Sequence, residues 1–266
     1  MSNARIMYNM SVKQVREGLQ ETQTVILPIG VVEQHGYHMP LSVDIHNAQE
    51  IAFRTSEVTG SFVAPTVHYS FSGGTLPGTI NISPQLFSLV VMDICRALVD
   101  QGFKNIIILL GHGGTENVQG SKDAALMFQR LNPQYTDITV SVLPFWELSP
   151  TYCTALEIGD FHAAKYETSL MLFWKPELVQ MDQATLDEPD FVELMRTDQD
   201  AYLQTTKLVD NEYVVPRQVQ SPRMQVGVMG NFEGASAEFG RIMCEEAVSG
   251  LVKFIEEVER VVTSDQ

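Results

Sequence analysis

The sequence predicts an α/β fold, a three-layer α/β/α arrangement around a mainly parallel central sheet, and three observations predict it. Apolar, β-branched runs alternate with stretches of helical periodicity in the order βαβαβαβα. One of these runs, Asn105-Ile-Ile-Ile-Leu-Leu110, is apolar after its first residue, as expected of a central parallel strand covered on both faces. The chain has 266 residues, 44% of them apolar and 19% charged, an ordinary globular composition long enough to bury a core without disulfides.

The elements follow in order. Thr24 to Val32 reads as a buried strand and Asp44 to Thr59 as the helix after it, the first βα unit. Ser61 to Val67 reads as a second strand. The helix from Ser83 to Gln101 has Pro84 at its first position, Leu86, Leu89, Val90, Ile94 and Leu98 on one face, and Gly102 at its end. After the strand at 105–110 comes a helix from about Glu116 to Leu131, and Ile138 to Leu143 is a fourth strand. His162 to Phe173 reads as a helix stopped by Pro176, and Ala235 to Val262 as a long amphipathic helix. The segment from Leu186 to Gln225 has only patchy periodicity and three prolines, and reads as an excursion, a lid or a subunit contact. No repeat, low-complexity tract or linker divides the chain, which favours a single domain.

Composition excludes several partners. The formal charge of −16 repels phosphate backbones and anionic lipid headgroups, so nucleic acid and membrane are not expected partners. The apolar runs are far shorter than the roughly 18 to 20 residues that span a bilayer. The first residues, MSNARIMYNMSVKQVREGL, carry no apolar core followed by a small-residue cleavage site. Cys95, Cys153 and Cys244 are odd in number and widely spaced, and read as reduced core thiols. The expectation is a cytoplasmic protein.

In a parallel sheet, ligands sit outside the carboxyl ends of the strands, so the polar residues after each strand are where chemistry is sought. After the first strand come Glu33, His35 and Asp44. Residues i and i+2 of extended chain point the same way, so Glu33 and His35 can converge while Asp44 returns from the start of a helix. Carboxylate oxygen and neutral imidazole nitrogen are usual ligands of zinc, manganese or iron; the plainer alternative is a solvated loop whose acids cap that helix. After the central strand, Gly111-His112-Gly-Gly-Thr-Glu116-Asn117 projects a His and a Glu from a tight turn. It lacks the spacing and the Lys of a nucleotide-binding loop. A third cluster, from Gly159 to Ser169, holds Asp160, His162 and Glu167, and taken alone it suits helix capping by Asp160.

Together these residues resemble the creatininase (creatinine amidohydrolase) family. LPIGVVEQHGYHMPLSVDIHNAQEIA is similar to the family's first signature, GHGGTEN to its second and HAAKYETSLML to its third, while GTLPGTINIS and VGVMGNFEGASAEFG resemble two auxiliary motifs. The resemblance covers about residues 22–175 and 226–241. It implies a hydrolase with two divalent ions (zinc, manganese or iron), in which Glu33 and His112 hold one ion, His35 holds the other and Asp44 bridges both. Glu116 and Glu167 are alternative acids for the second ion. His162 matches the family histidine near the scissile bond and would donate a proton to the leaving nitrogen. Asp160 and His46 are candidates to orient the ligands.

The implied reaction is hydrolysis of a carbon–nitrogen bond of a small cyclic amide or formamide by a hydroxide bridging the ions. Alternatives are hydrolytic ring opening of a sugar-like cyclic ketone and a non-catalytic binding protein on the same fold. The resemblance also implies a homo-oligomer, a hexamer in relatives. Val32, Tyr37, Gly74 and Leu76 depart from the family pattern at positions expected to line the pocket, and Tyr69, Phe71, Phe145, Trp146 and Tyr152 could wall it with aromatic rings.

Overall fold

A computed structural model of the chain describes residues 3–264, with side chains described through Arg260. Five parallel strands form the central sheet in the order β1-β3-β2-β4-β5: β1 (Arg5–Ile6), β2 (Thr24–Ile29), β3 (Phe62–Val63), β4 (Asn105–Leu110) and β5 (Thr139–Pro144). β2 and β4 pair along their full length, Thr24 opposite Asn105 through Ile29 opposite Leu110.

Alternation along these two strands makes the layers. Val25, Leu27 and Ile29 of β2 and Ile106, Ile108 and Leu110 of β4 face one apolar cluster with Phe87, Val91, Cys95, Ala124 and Phe128. Those partners lie on α3 (Pro84–Asp100) and α4 (Thr115–Leu131). Ile26, Ile107 and Leu109 face the other cluster, with residues of α2 (Val43–Thr59), α6 (Lys165–Trp174) and α8 (Ala237–Ser264). A strand buried on both faces must be apolar at both parities, and these two are.

Two glycines bring α2 down over the sheet's carboxyl edge. A Cβ on Gly111 would lie 2.0 Å from the Asp44 carbonyl oxygen, and one on Gly30 2.6 Å from Ile45 N. Only glycine allows backbone to meet backbone this closely, and the result is that the first turn of α2 sits across the ends of β2 and β4.

Several predicted boundaries move. β2 ends at Ile29 rather than Val32, because Gly30 turns the chain under α2; the predicted second strand shortens to Phe62–Val63, with Val67 adding only an isolated bridge to Ile29. The inward stripe of α3 is Phe87, Val91, Cys95 and Leu98, whereas Leu86, Leu89 and Val90 are exposed. Both stripes have helical spacing and both are apolar, so periodicity alone had two solutions. The helix predicted from His162 starts at Lys165, because His162 pairs in extended conformation with Met229 and Ala163 has a left-handed φ of +56°. Cys153 is exposed, not a core thiol, since it falls on the outer side of the short helix α5 (Pro150–Glu157).

Unforeseen elements are the N-terminal β1 and helix α1 (Val12–Gly18), the latter with a capping box between Ser11 and Gln14. The unclear stretch 186–225 is ordered: helix α7 (Pro189–Thr197) and an antiparallel hairpin of β6 (Leu203–Thr206) and β7 (Arg217–Gln220). Its core, Phe191, Val192 and Met195 with Met224 and Met229, is separate from the two main clusters. Among the described residues no helix is long and apolar enough to cross a membrane.

Candidate metal centre

The carboxyl edge of β2 and β4 gathers Glu33, His35, Asp44, His112 and Glu167, all of them buried. Each arrives by a different local device. Glu33 and His35 lie on the loop after β2, His112 follows β4 by two residues, and Asp44 stands in the first turn of α2. Glu167 lies in the first turn of α6, which α8 and α2 clamp onto the sheet.

They form two triads with Asp44 common to both: Glu33–Asp44–His112 and His35–Asp44–Glu167, each with ligand atoms within 4.8 Å of one another. His112 Nδ1 lies 3.2 Å from Glu33 Oε2 and 3.1 Å from Asp44 Oδ2. His35 Nε2 lies 3.5 Å from Asp44 Oδ1 and 3.6 Å from Glu167 Oε2. A third grouping, Glu33–His35–His162, meets the same distance limit.

The surroundings orient these atoms. His35 Nδ1 lies 3.1 Å from the Glu33 carbonyl and donates to it, which turns Nε2 toward Asp44 and Glu167. Asn47 Nδ2 donates to the Gly111 carbonyl at 3.3 Å and to Glu167 Oε1 at 3.4 Å. The second Glu167 oxygen accepts from Ala163 N at 2.7 Å. Asn117 Nδ2 donates to the His112 carbonyl at 2.9 Å.

Three polar atoms in the middle, Glu33 Oε2, His35 Nε2 and Asp44 Oδ2, are buried without a hydrogen-bond partner. Buried polar atoms are normally satisfied, and convergent oxygen and nitrogen atoms of this type are the donor set that divalent ions take. The donor set therefore fits a divalent cation.

Electrostatics agree. Burial raises the Glu33 carboxyl, and although His112 opposes this, it ends near 7. Burial would lower His35, but the carboxylates of Asp44 and Glu167 outweigh it and lift it to about 10. His112, likewise buried, is carried up to about 9 by Glu33 and Asp44. Burial would raise Asp44, yet the two imidazoles hold it well below the usual carboxylate range. Without cations the cluster thus holds protons on its histidines to balance its acids, and those are the protons a cation would displace.

His162 lies against this cluster. Its ring is 4.2 Å from that of His35, and its Nε2 donates to the Gln34 carbonyl at 2.8 Å. Burial and the His35 charge push it down to about 4.

Glu116 does not join either triad: it is exposed in the first turn of α4. Asp160 does what its capping reading predicts, accepting from Lys165 N at 3.0 Å at the start of α6. His46 faces Glu50, Lys175, Glu177 and His68 rather than the triads. Of the aromatic residues, Phe145 and Tyr152 are core, Tyr69 is half exposed, and Trp146 lies 3.6 Å from the Cβ position of Gly113, beside His112.

Sequence reasoning missed Asn47, Gln34, Asp187 and Gly227. Asn47 was accessible, since it stands three residues after Asp44 on the same helix and so shares its face. Asp187 was not: its carboxylate accepts from the backbone N–H groups of Gln225, Val226 and Gly227 at 2.7 to 2.9 Å, a tertiary contact across about 40 residues.

The Creatininase family model, described as creatinine amidohydrolase, matches residues 8–255. The chain is 29% identical over 252 residues to creatinine amidohydrolase of Pseudomonas putida, covering 88% of each chain. It is 25% identical over 260 residues to 3-dehydro-scyllo-inosose hydrolase of Thermotoga maritima, covering 94% of this chain and 81% of that one. Among solved structures, a creatininase designated Mn superposes with a TM-score of 0.76 at 25% identity, covering 96% of this chain and 98% of the other. With a family match that runs from Tyr8 to Ile255 and a fold shared over nearly the whole length, this chain belongs to the creatininase family.

Proposed function

We propose that the chain is a divalent-metal-dependent amidohydrolase that opens a carbon–nitrogen bond of a small cyclic amide or formamide. The observation that carries this reading is the pair of buried triads sharing Asp44. In it, Glu33, Asp44 and His112 would hold one ion and His35, Asp44 and Glu167 the other, with zinc, manganese or iron all compatible with mixed nitrogen and oxygen ligands. Two bound cations would polarise a carbonyl oxygen and lower the pKa of water, which removes any need for a Ser or Cys nucleophile.

The chain's own groups do the rest. His162, kept neutral by burial, takes a proton from water and delivers it to the leaving nitrogen. Gln34 holds the ring in place, its backbone carbonyl 2.8 Å from the His162 Nε2 and its amide nitrogen 3.0 Å from the same atom. Burial of the acids excludes bulk water and strengthens their hold on cations.

A second reading, hydrolytic ring opening of a cyclic ketone at a carbon–carbon bond, is favoured by the likeness to the Thermotoga maritima inosose hydrolase. Release of nitrogen from the substrate separates the two. The reading includes a cytoplasmic enzyme, supported by three unpaired cysteines. It includes a homo-oligomer too, supported by the apolar tip of the β6–β7 hairpin, where Leu208, Tyr213 and Val215 are almost fully exposed.

The test is elemental analysis of gently purified protein and of Asp44→Ala. About two transition-metal equivalents, both lost together with all turnover in the variant, are expected. Zero or one equivalent, unchanged in Asp44→Ala and not raised by added zinc, manganese or iron, would mean a protein that keeps the fold without the reaction.

A further inference from the structure

Among the described residues, Ala163 alone combines a side chain with a left-handed backbone, at φ +56°, and it lies between His162 and Glu167, the two groups that this stretch sends to the site. An alanine does not hold that conformation unaided. On one side, the Glu167 carboxylate accepts from its N–H at 2.7 Å. On the other, its carbonyl accepts from Thr168 Oγ1 at 3.5 Å, and Thr168 Oγ1 in turn lies 3.0 Å from His38 Nε2.

A buried N–H without an acceptor costs more than a bare ring nitrogen, and Nδ1 has no partner. The proton therefore sits on Nε2 and is donated to Thr168 Oγ1, which leaves the hydroxyl proton for the Ala163 carbonyl. Nδ1 is then the bare nitrogen. It is buried without a hydrogen-bond partner and faces Gly36, where a Cβ would come within 3.0 Å of it. Phe232 packs beside the ring at 5.3 Å, and burial keeps the imidazole neutral, pushing it down to about 4. His38, Thr168 and Ala163 are all at most 1% exposed. The Ala163 backbone carbonyl also acts on this imidazole directly, so both of its polar contacts lead to the same turn.

We propose that His38 is a positioning residue: through Thr168 it pins the left-handed turn at Ala163 and so sets Glu167 for the His35–Asp44–Glu167 triad, to which it gives no ligand atom. The inference rests on the two-ion reading above, and it is selective. The Glu33–Asp44–His112 triad takes no residue from this turn.

The experiment is equilibrium dialysis of chelator-stripped, refilled protein against manganese alone, on wild type, His38→Gln, His38→Leu and the double variant His38→Leu with Ala163→Gly. Wild type is expected to bind two ions. His38→Gln, which keeps an N–H donor, retains both. His38→Leu keeps one ion at wild-type affinity and binds the other about 10- to 100-fold more weakly, the usual effect of removing a group that orients a ligand. Glycine adopts φ +56° without a Cβ penalty, so Ala163→Gly recovers most of that loss. If His38→Leu is insoluble, Thr168→Val removes the same link at nearly constant shape and carries the same expectation.

Unchanged binding of both ions, equal weakening of both, or no recovery by Ala163→Gly overturns the role of His38. A wild type that binds fewer than two ions overturns the two-ion reading and this inference with it. That outcome is distinct from a two-ion wild type whose variants behave alike, which removes the positioning role only.

Discussion

Asp44 is the residue on which both triads turn, with one oxygen toward His112 and the other toward His35. A carboxylate this buried would ordinarily be forced neutral, and it stays ionised because the two imidazoles face it. The acid that completes the second triad is a sharper question, because two glutamates in first turns of helices compete for it. Glu167 Oε2 lies 3.6 Å from His35 Nε2 and is oriented by Asn47 and Ala163, whereas Glu116 is exposed. Glu167→Gln is therefore expected to bind one ion instead of two and to lose turnover by a factor of 100 or more, on the order of 3 kcal/mol of barrier. Glu116→Gln is expected to keep both ions. Metal analysis of the two variants decides it, and the reverse pattern would reassign the site. That Glu33, His35, Asp44 and His112 meet at one sheet edge was legible in the sequence, because each stands in the turn after a strand or opens a helix. The choice between Glu116 and Glu167 was not, since two acids at helix starts look alike until the packing of α6 against α2 buries one of them.

At the scale of elements, the loop 221–230 joins the excursion to the site. Asp187 gathers its backbone N–H groups, Gly227 has φ +82°, and the Gly227 carbonyl accepts from Gln34 Nε2 at 3.3 Å. A Cβ on Gly227 would fall 2.4 Å from the Gln34 amide. Gly227→Ala thus meets two penalties, a left-handed alanine and a collision with the residue whose carbonyl holds His162. The expected cost is about 1–3 kcal/mol of stability, read as a shift of the denaturation midpoint. A fall in turnover with both ions still bound should accompany it. A variant with wild-type melting and wild-type turnover would show that the loop gives way freely and does not position Gln34. None of this was legible beforehand, because the segment's order comes from tertiary bonds to Asp187 rather than from its own periodicity. β2 and β4, by contrast, were legible because being apolar on both faces is a property of the strand alone. α3 lay between these cases, its two apolar stripes equally periodic and only its packing on α4 choosing the inward one.

Taken as a whole, the molecule buries five acid and imidazole groups at one edge of its apolar sheet, and that placement makes its stability depend on pH. His35 and His112, near 6.5 in the unfolded chain, rise to about 10 and 9 in the folded one. A proton bound more tightly by the folded state stabilises it fully below the unfolded pKa, and the benefit is lost as pH rises through the folded pKa. Glu33 acts in the same direction, since its carboxyl, ordinarily near 4.5, holds a proton up to about 7 when folded. Asp44 has the opposite sign: its contribution is present above the ordinary aspartate range and is lost only as strong acid protonates it. The metal-free protein is therefore expected to lose stability, on the order of a few kcal/mol, as pH rises from about 6 to 10. Cations reverse the slope by taking the place of the protons, so they bind more tightly as pH rises and release protons on binding. Melting temperatures of chelator-treated and manganese-loaded protein across that range should diverge, the treated curve falling while the loaded one holds. Parallel curves would mean that the cluster exchanges no protons for cations, and that the histidines facing Asp44 are neutral in the folded chain whether or not an ion is bound.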